Sequence, residues 1–181
     1  MVSLRYIPII IVSLALQCSA LFEEPIVEFA DSGSSVPITQ ANVICSKNDE
    51  TGVHIAASSL ATDLEAITGA EREVIHWQDD AGPLSNSTYH ETAIIVGSLN
   101  SSLIRHLSDE GIIDVSDLEG KWESFVTTVV DQPFPSIEQA LVIAGSDKRG
   151  AIFGIYTLSE QSGQSPYGSS YSSQTSVRRA C

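Results

Sequence analysis

Residues 141–161 read LVIAGSDKRGAIFGIYTLSEQ, and the reading of this stretch decides the fold. Leu141 to Ala144 is an apolar run long enough for a buried strand and too short for a buried helix. Gly145-Ser146-Asp147 interrupts it, and a hydroxyl or carboxylate there can cap a following helix by accepting an orphan backbone N–H. From Arg149 onward Ile152, Ile155 and Tyr156 recur at helical spacing. Gly150 and Gly154 share a bare face on which that helix can lie close to a sheet. The stretch therefore predicts a strand, a tight polar turn and a closely docked helix.

Working upstream, Ser124 to Val130 is β-branched and predicts a strand, turned by Pro133 and Pro135 so that Leu141 to Ala144 returns antiparallel to it. Val53 to Thr68 is the clearest helix. Val53, Ala56, Ala57, Leu60, Leu64 and Ile67 form one stripe, Gly69 stands at the C-terminal stop, and Asp49 is a candidate cap. Ala41 to Cys45, Glu73 to Trp77 and Thr92 to Val96 predict further strands, with a short one near Ile26 to Phe29 and one or two helical turns at Leu103 to Leu107. Several strands with two substantial helices give an α+β fold, a mixed β-sheet with both main helices packed on one face.

Met1 to Ala20 stands apart. Arg5 supplies a basic start, Ile7 to Leu16 an apolar core and Cys18-Ser19-Ala20 a small-residue cleavage site, the pattern of a secretory signal peptide over residues 1–20. The apolar core is shorter than the roughly 20 residues a membrane span requires. A domain over 21–162 and a tail over 163–181 follow; the tail is rich in Ser and Thr, lacks apolar periodicity and is expected to be disordered. The expected location is outside the cell. A net charge of −14, from 23 acidic and 9 basic residues, is unfavourable for nucleic acid and for an anionic membrane surface. Asn86-Ser87-Thr88 and Asn100-Ser101-Ser102 are glycosylation sequons, consistent with secretion. Cys45, in an apolar run, is expected to be a buried free thiol, with pairing to Cys181 as the alternative.

Leu141 to Gln161 closely resembles the end of the N-terminal domain of glycoside hydrolase family 115, the xylan α-1,2-glucuronidases. Members of that family carry LVIAGSDKRG, then an aromatic-Gly-Ile-Tyr segment and L-S-E-Q. A looser resemblance extends upstream to about Phe29. It implies a sheet-and-two-helix domain that precedes a catalytic (β/α)8 barrel and packs against it. The intact enzyme would release 4-O-methylglucuronic acid from glucuronoxylan, its partner outside the chain. The family's catalytic acids belong to the barrel and match no position here, so the chain is expected to be inactive alone. Where the family continues with Trp and further aromatics, this chain has Tyr167-Gly168-Ser169-Ser170. Codons for those residues can be read in another frame as Trp-Phe-Phe, so a missed intron or frameshift with an out-of-frame tail is expected. A genuine short secreted isoform is the alternative.

Gly145 to Gly150 has the glycine spacing of a phosphate-binding loop, but Ala151 and Ile152 stand where Lys and Ser/Thr belong, and no G-x-G-x-x-G occurs. No cofactor is expected. Lys148 and Arg149 are the candidate substrate-binding or domain-interface residues, since an arginine fork suits a carboxylate; pairing with nearby acids to fix the turn is the other reading. The acids Asp79-Asp80, Asp109-Glu110 and Asp114 to Glu119 fall in expected loops and read as solvated surface, so no catalytic residue is assigned. His54, His76, His90 and His106 are isolated in sequence, no metal-ligand spacing is present, and no metal site is expected. His54 reads as half-exposed and idle. A second functional reading is a stand-alone secreted module that binds plant cell-wall polysaccharide. Trp77 and Trp122, the only tryptophans, are its candidate sugar platforms, although core or edge packing is the expected use of both.

Overall fold

A computed structural model of the chain describes residues 27–28, 35–78, 92–163 and 176–178. In chain order these form β1 (Val27–Glu28), β2 (Ser35–Pro37), a short 3-10 turn (Ile38–Gln40), β3 (Asn42–Ser46), α1 (Thr51–Thr68), β4 (Val74–Trp77), β5 (Thr92–Ser98), α2 (Ser102–Asp109), a second 3-10 turn (Ser116–Leu118), β6 (Phe125–Phe134), β7 (Ile137–Gly145), α3 (Lys148–Gln161) and β8 (Ser176–Arg178). The main sheet has the order β4-β3-β5-β7-β6. Its β3–β4, β3–β5 and β5–β7 pairs are parallel, and β6 closes one edge antiparallel to β7. The fold is α+β with a mixed sheet, and the antiparallel return of residues 141–144 is as the sequence predicts.

Parallel strands covered on both faces carry near-continuous apolar runs, which is why β3, β5 and β7 lack strict alternation. Val43, Cys45, Ile94, Val96, Leu141 and Ile143 face α1 and α3, meeting Val53, Leu60 and Leu64 of the first and Ala151, Ile155 and Leu158 of the second. Ile44, Ile95 and Val142 face the other way, onto Leu103, Ile104 and Leu107 of α2. The two main helices therefore share one face, and Ser159 of α3 donates a hydrogen bond to Asp63 of α1 across their contact. Among the described residues no helix is long and apolar enough to cross a membrane.

The turn at 145–150 docks α3 as tightly as its glycines imply. A Cβ on Gly150 would lie 2.2 Å from the Ser124 carbonyl oxygen, and one on Gly154 would lie 2.5 Å from Ile143 Cγ2. Asp147, not Ser146, is the cap; its Oδ1 accepts from Arg149 N at 2.8 Å and Gly150 N at 2.9 Å. Tyr156, placed on the apolar face by its spacing, instead points outward and is 47% exposed. The cause is that Gly150 and Gly154, rather than side chains, occupy the line of closest approach.

Other differences have local causes. α1 begins at Thr51 with Glu50 as N-cap, and no side chain caps it, because the Asp49 carboxylate turns away to bond the end of β5. β6 runs through Pro133 to Phe134, past the expected stop, because a register shift between Asp131 and Phe134 absorbs the proline; Gln132, at φ 48°, takes the left-handed conformation there. β2 forms where no strand is expected, and β8 forms within the tail expected to be disordered. β8 pairs antiparallel with β1 and β2 in a separate three-stranded sheet, which supplies backbone partners that composition alone cannot reveal. The expected signal peptide over residues 1–20, and Asn86, His90, Cys181 and the remainder of the tail, lie outside the described residues.

Candidate functional site

Four places concentrate polar chemistry, and the first is set by how the chain leaves the parallel strands. After β3 the chain enters α1 on one face; after β5 it enters α2 on the other. Such a divergence opens a crevice at the carboxyl ends of the strands, the usual ligand position in open α/β sheets. Here the crevice is filled. Asp49, buried, accepts from Ser98 N (2.9 Å) and Ser98 Oγ (2.9 Å), and its Oδ1 also accepts from Glu50 N (2.8 Å). Gly97 makes room for it, since a Cβ there would stand 2.8 Å from Ser101 Oγ and 3.1 Å from Asp49 Oδ2. Ser46 Oγ lies 2.8 Å from Ser102 Oγ, and Asn48 Oδ1 accepts from Ser102 N at 3.2 Å. The arrangement is a latch between the β3–α1 and β5–α2 turns.

On the α2 side a groove of about 810 Å³ runs past Asn48, Trp77, Arg105, His106, Asp109 and Phe134. His106 stacks between Trp77 (ring centroids 5.6 Å apart, 25° between planes) and Phe134 (6.0 Å, 13°). Trp77 is buried and braces the groove wall. The carboxylates lining the groove, Asp109 and Glu110, both come from the end of α2, whereas a glycosidase pair flanks the scissile bond. The loop acids Asp114, Asp117 and Glu119 are exposed, as expected.

The third place lies on the opposite face. Cys45 of β3 and His76 of β4 are register partners in a parallel pair, and His54 stands in the first turns of α1. Cys45 Sγ is 3.5 Å from His54 Nδ1 and 3.5 Å from His76 Nδ1, and the two imidazole rings are 5.1 Å apart. His54 Nε2 lies 3.1 Å from the Asp49 carbonyl oxygen, so Nε2 carries the proton and donates, leaving the Nδ1 lone pair directed at the sulfur. Burial, and secondarily the Asp49 carboxylate, push the Cys45 thiol up to about 12. Cys45 is buried and free of disulfide, as expected. His54 is half-buried, but it is engaged rather than idle. Three residues far apart in sequence converge here, and no local spacing announces it. The alternation of β3 and β4 supplies the only available signal, by placing Cys45 and His76 on one face once their register is known.

Lys148 and Arg149 sit at the start of α3. Lys148 Nζ is 3.4 Å from Glu50 Oε2, and Arg149 Nη1 is 2.8 Å from Glu123 Oε1. Beside them Asp147 Oδ2 accepts from Glu123 N at 3.0 Å. The Asp147 carboxyl is held below its ordinary value by hydrogen bonds from the N–H groups of Gly150, Glu123 and Arg149, with Arg149's charge adding to them. Trp122, expected to pack in the core or at an edge, is instead 85% exposed, because it precedes β6 in the turn that Asp147 holds. Phe153 and Tyr156 are also exposed on the outer face of α3. Asn100 is exposed in the turn after β5, where its carbonyl accepts from Arg105 Nη2.

No protein-family model and no curated protein sequence matches the chain. Among solved structures it is similar to a family GH115 4-O-methyl-α-glucuronidase with specificity for decorated arabinogalactans, at TM-score 0.55 and 24% identity over 78% of this chain. The fold is shared. The match spans 16% of that enzyme's own length, so this chain corresponds to a minor part of it. A second structure, CpGH84D, aligns with 84% of this chain and 22% of its own at TM-score 0.46 and 15% identity.

Proposed function

We propose that the chain is the N-terminal, non-catalytic domain of a secreted xylan α-1,2-glucuronidase, a shoulder that packs against a catalytic barrel and is inactive alone. The observation that carries this reading is the fold shared with a family GH115 enzyme over 78% of the chain but only 16% of that enzyme. The LVIAGSDKRG run at 141–150 supports it, as do the exposed aromatics Trp122, in the turn before β6, and Phe153 and Tyr156, on the outer face of α3. Large aromatic side chains left exposed at this end of the chain fit a domain joint better than open solvent. In this reading Lys148 and Arg149 belong to the joint or to the substrate side, and Asn86 and Asn100 carry glycans.

The test is incubation of the purified chain with glucuronoxylan. No release of 4-O-methylglucuronic acid is expected, and measurable release would overturn the assignment. A transcript read beyond Gln161 that encodes a barrel would support it; one that confirms the present frame to Cys181 would count against it. A second reading, a stand-alone cell-wall-binding module, is favoured by Trp122 alone, whose exposure would let a sugar ring stack on it. Retention on insoluble xylan, lost in Trp122→Ala, would select that reading.

A further inference from the structure

We propose that Cys45, His54 and His76 form a binding site for one borderline-soft transition-metal cation, zinc by preference. The thiolate and two imidazoles would serve as ligands, with one coordination position left open.

The donor set and its spacing both point there. A cation bonded at about 2.3 Å to sulfur and about 2.0–2.1 Å to imidazole nitrogen, in tetrahedral geometry, holds S and N roughly 3.5–3.6 Å apart. Both S–N distances here are 3.5 Å, and the three ligand atoms lie within 4.8 Å of one another. Thiolate and imidazole together select zinc or copper over magnesium or calcium, which take oxygen ligands.

The surroundings suit a cation as well. His54 donates its far ring N–H to the Asp49 carbonyl, the outer-shell contact that fixes tautomer and ring orientation in metal-ligating histidines. Cys45 is buried and anchored in β3, an interior strand of the sheet, while His76 on the edge strand β4 is exposed and offers an entry path. Beside the cluster a cleft of about 410 Å³, lined by Thr51, Ser58, Ser59 and Thr62 as well as both histidines, leaves room for a water or an external oxygen ligand in the fourth position. On coordination the thiol proton leaves to solvent and the sulfur becomes the anionic ligand. The competing account is a closed hydrogen-bonded cluster in which the thiol donates to His54 and His76 donates to the thiol. That cluster holds no ion.

The experiment uses the full chain, stripped with chelator and titrated with cobalt(II) as a spectroscopic stand-in, then with zinc in competition. One cobalt per chain is expected, with a sulfur-to-cobalt charge-transfer band and tetrahedral d–d bands, both bleached by one equivalent of zinc. Cys45→Ser should abolish the charge-transfer band. His76→Ala, at an exposed position and therefore expected to fold, should weaken binding at least tenfold while its metal-free melting temperature stays at the wild-type value. Absence of the bands in the wild-type chain, or their persistence in Cys45→Ser, would overturn the site and leave the hydrogen-bonded cluster as the answer. Unchanged affinity in His76→Ala would remove His76 from the ligand set and overturn the three-ligand assignment.

Discussion

Replacing Asp147 tests the turn on which the fold is organised. Its carboxylate makes two sets of bonds: Oδ1 caps α3 through Arg149 N and Gly150 N, and Oδ2 accepts from Glu123 N, tying the chain before β6 to the start of α3. Loss of a helix cap costs typically about 1 kcal/mol. A hydrogen bond to a charged acceptor contributes about 1.5 kcal/mol, at the low end here because the side chain is half-exposed. Asp147→Ala should therefore lose roughly 2–3 kcal/mol, a fall in urea midpoint of about 1 M or more. Asp147→Asn keeps an acceptor for the cap but presents an amide donor to Glu123 N, so about half the loss is expected. Protonation sets the pH dependence. The folded-state pKa is depressed, so the contribution is fully present above the unfolded carboxyl value and lost as pH falls through the folded one. The gap between wild type and Asp147→Asn should be constant from about pH 5 to 7 and should narrow progressively once the pH falls below the ordinary carboxyl value of about 4. Urea denaturation across that range measures it. A loss under about 0.5 kcal/mol for Asp147→Ala, or a gap that does not narrow with acid, would refute the reasoning.

Three further outcomes follow from the same geometry. Gly150→Ala should cost about 3 kcal/mol or more, because the new Cβ meets the Ser124 backbone, whereas Gly111→Ala, in open space at φ 68°, should cost only about 1 kcal/mol; thermal melts of the two compare contact with conformation. In the metal-free protein Cys45 should resist thiol reagents at pH 8, its thiolate population roughly a thousandfold below that of an ordinary thiol. Because its folded pKa is raised to about 12, its contribution to stability is complete below pH 9 and declines as pH rises above that, a slope that Cys45→Ala should lack. Asp49→Ala should lose about 3 kcal/mol by stranding the Ser98 N–H and hydroxyl in the core, with Asp49→Asn losing less; chemical denaturation reads both.

The fold was legible where the signal is local. The α1 stripe, the α3 glycines and the apolar runs of β3, β5 and β7 each satisfy a period that one segment carries in full. Boundaries failed where a partner outside the segment decides them, as when the bulge near Gln132 carries β6 through Pro133, or when Ser98 draws Asp49 away from α1. The polar sites were less legible still. Lys148 and Arg149 stand next to each other and could be marked as a pair, but the acids that meet them, Glu50 and Glu123, come from other turns. Cys45, His54 and His76 become one cluster only after β3 and β4 are set in register, and that register is a property of the folded sheet.

Asp49 links the two faces of the sheet. Its carboxylate closes the crevice against Ser98, while its carbonyl fixes the His54 tautomer from the other side of the same turn. If the turn keeps its shape only because the carboxylate is latched, Asp49→Ala should release the carbonyl from His54, free the ring to rotate, and weaken cobalt binding about 10- to 100-fold, as loss of an outer-shell partner typically does. Cys45→Ser removes a ligand outright, so its loss should be larger, and the two can be ranked by titration against a common chelator. Wild-type affinity in a folded Asp49→Ala chain would mean that the turn is held by its backbone alone, and that the latch and the thiol–imidazole cluster are independent.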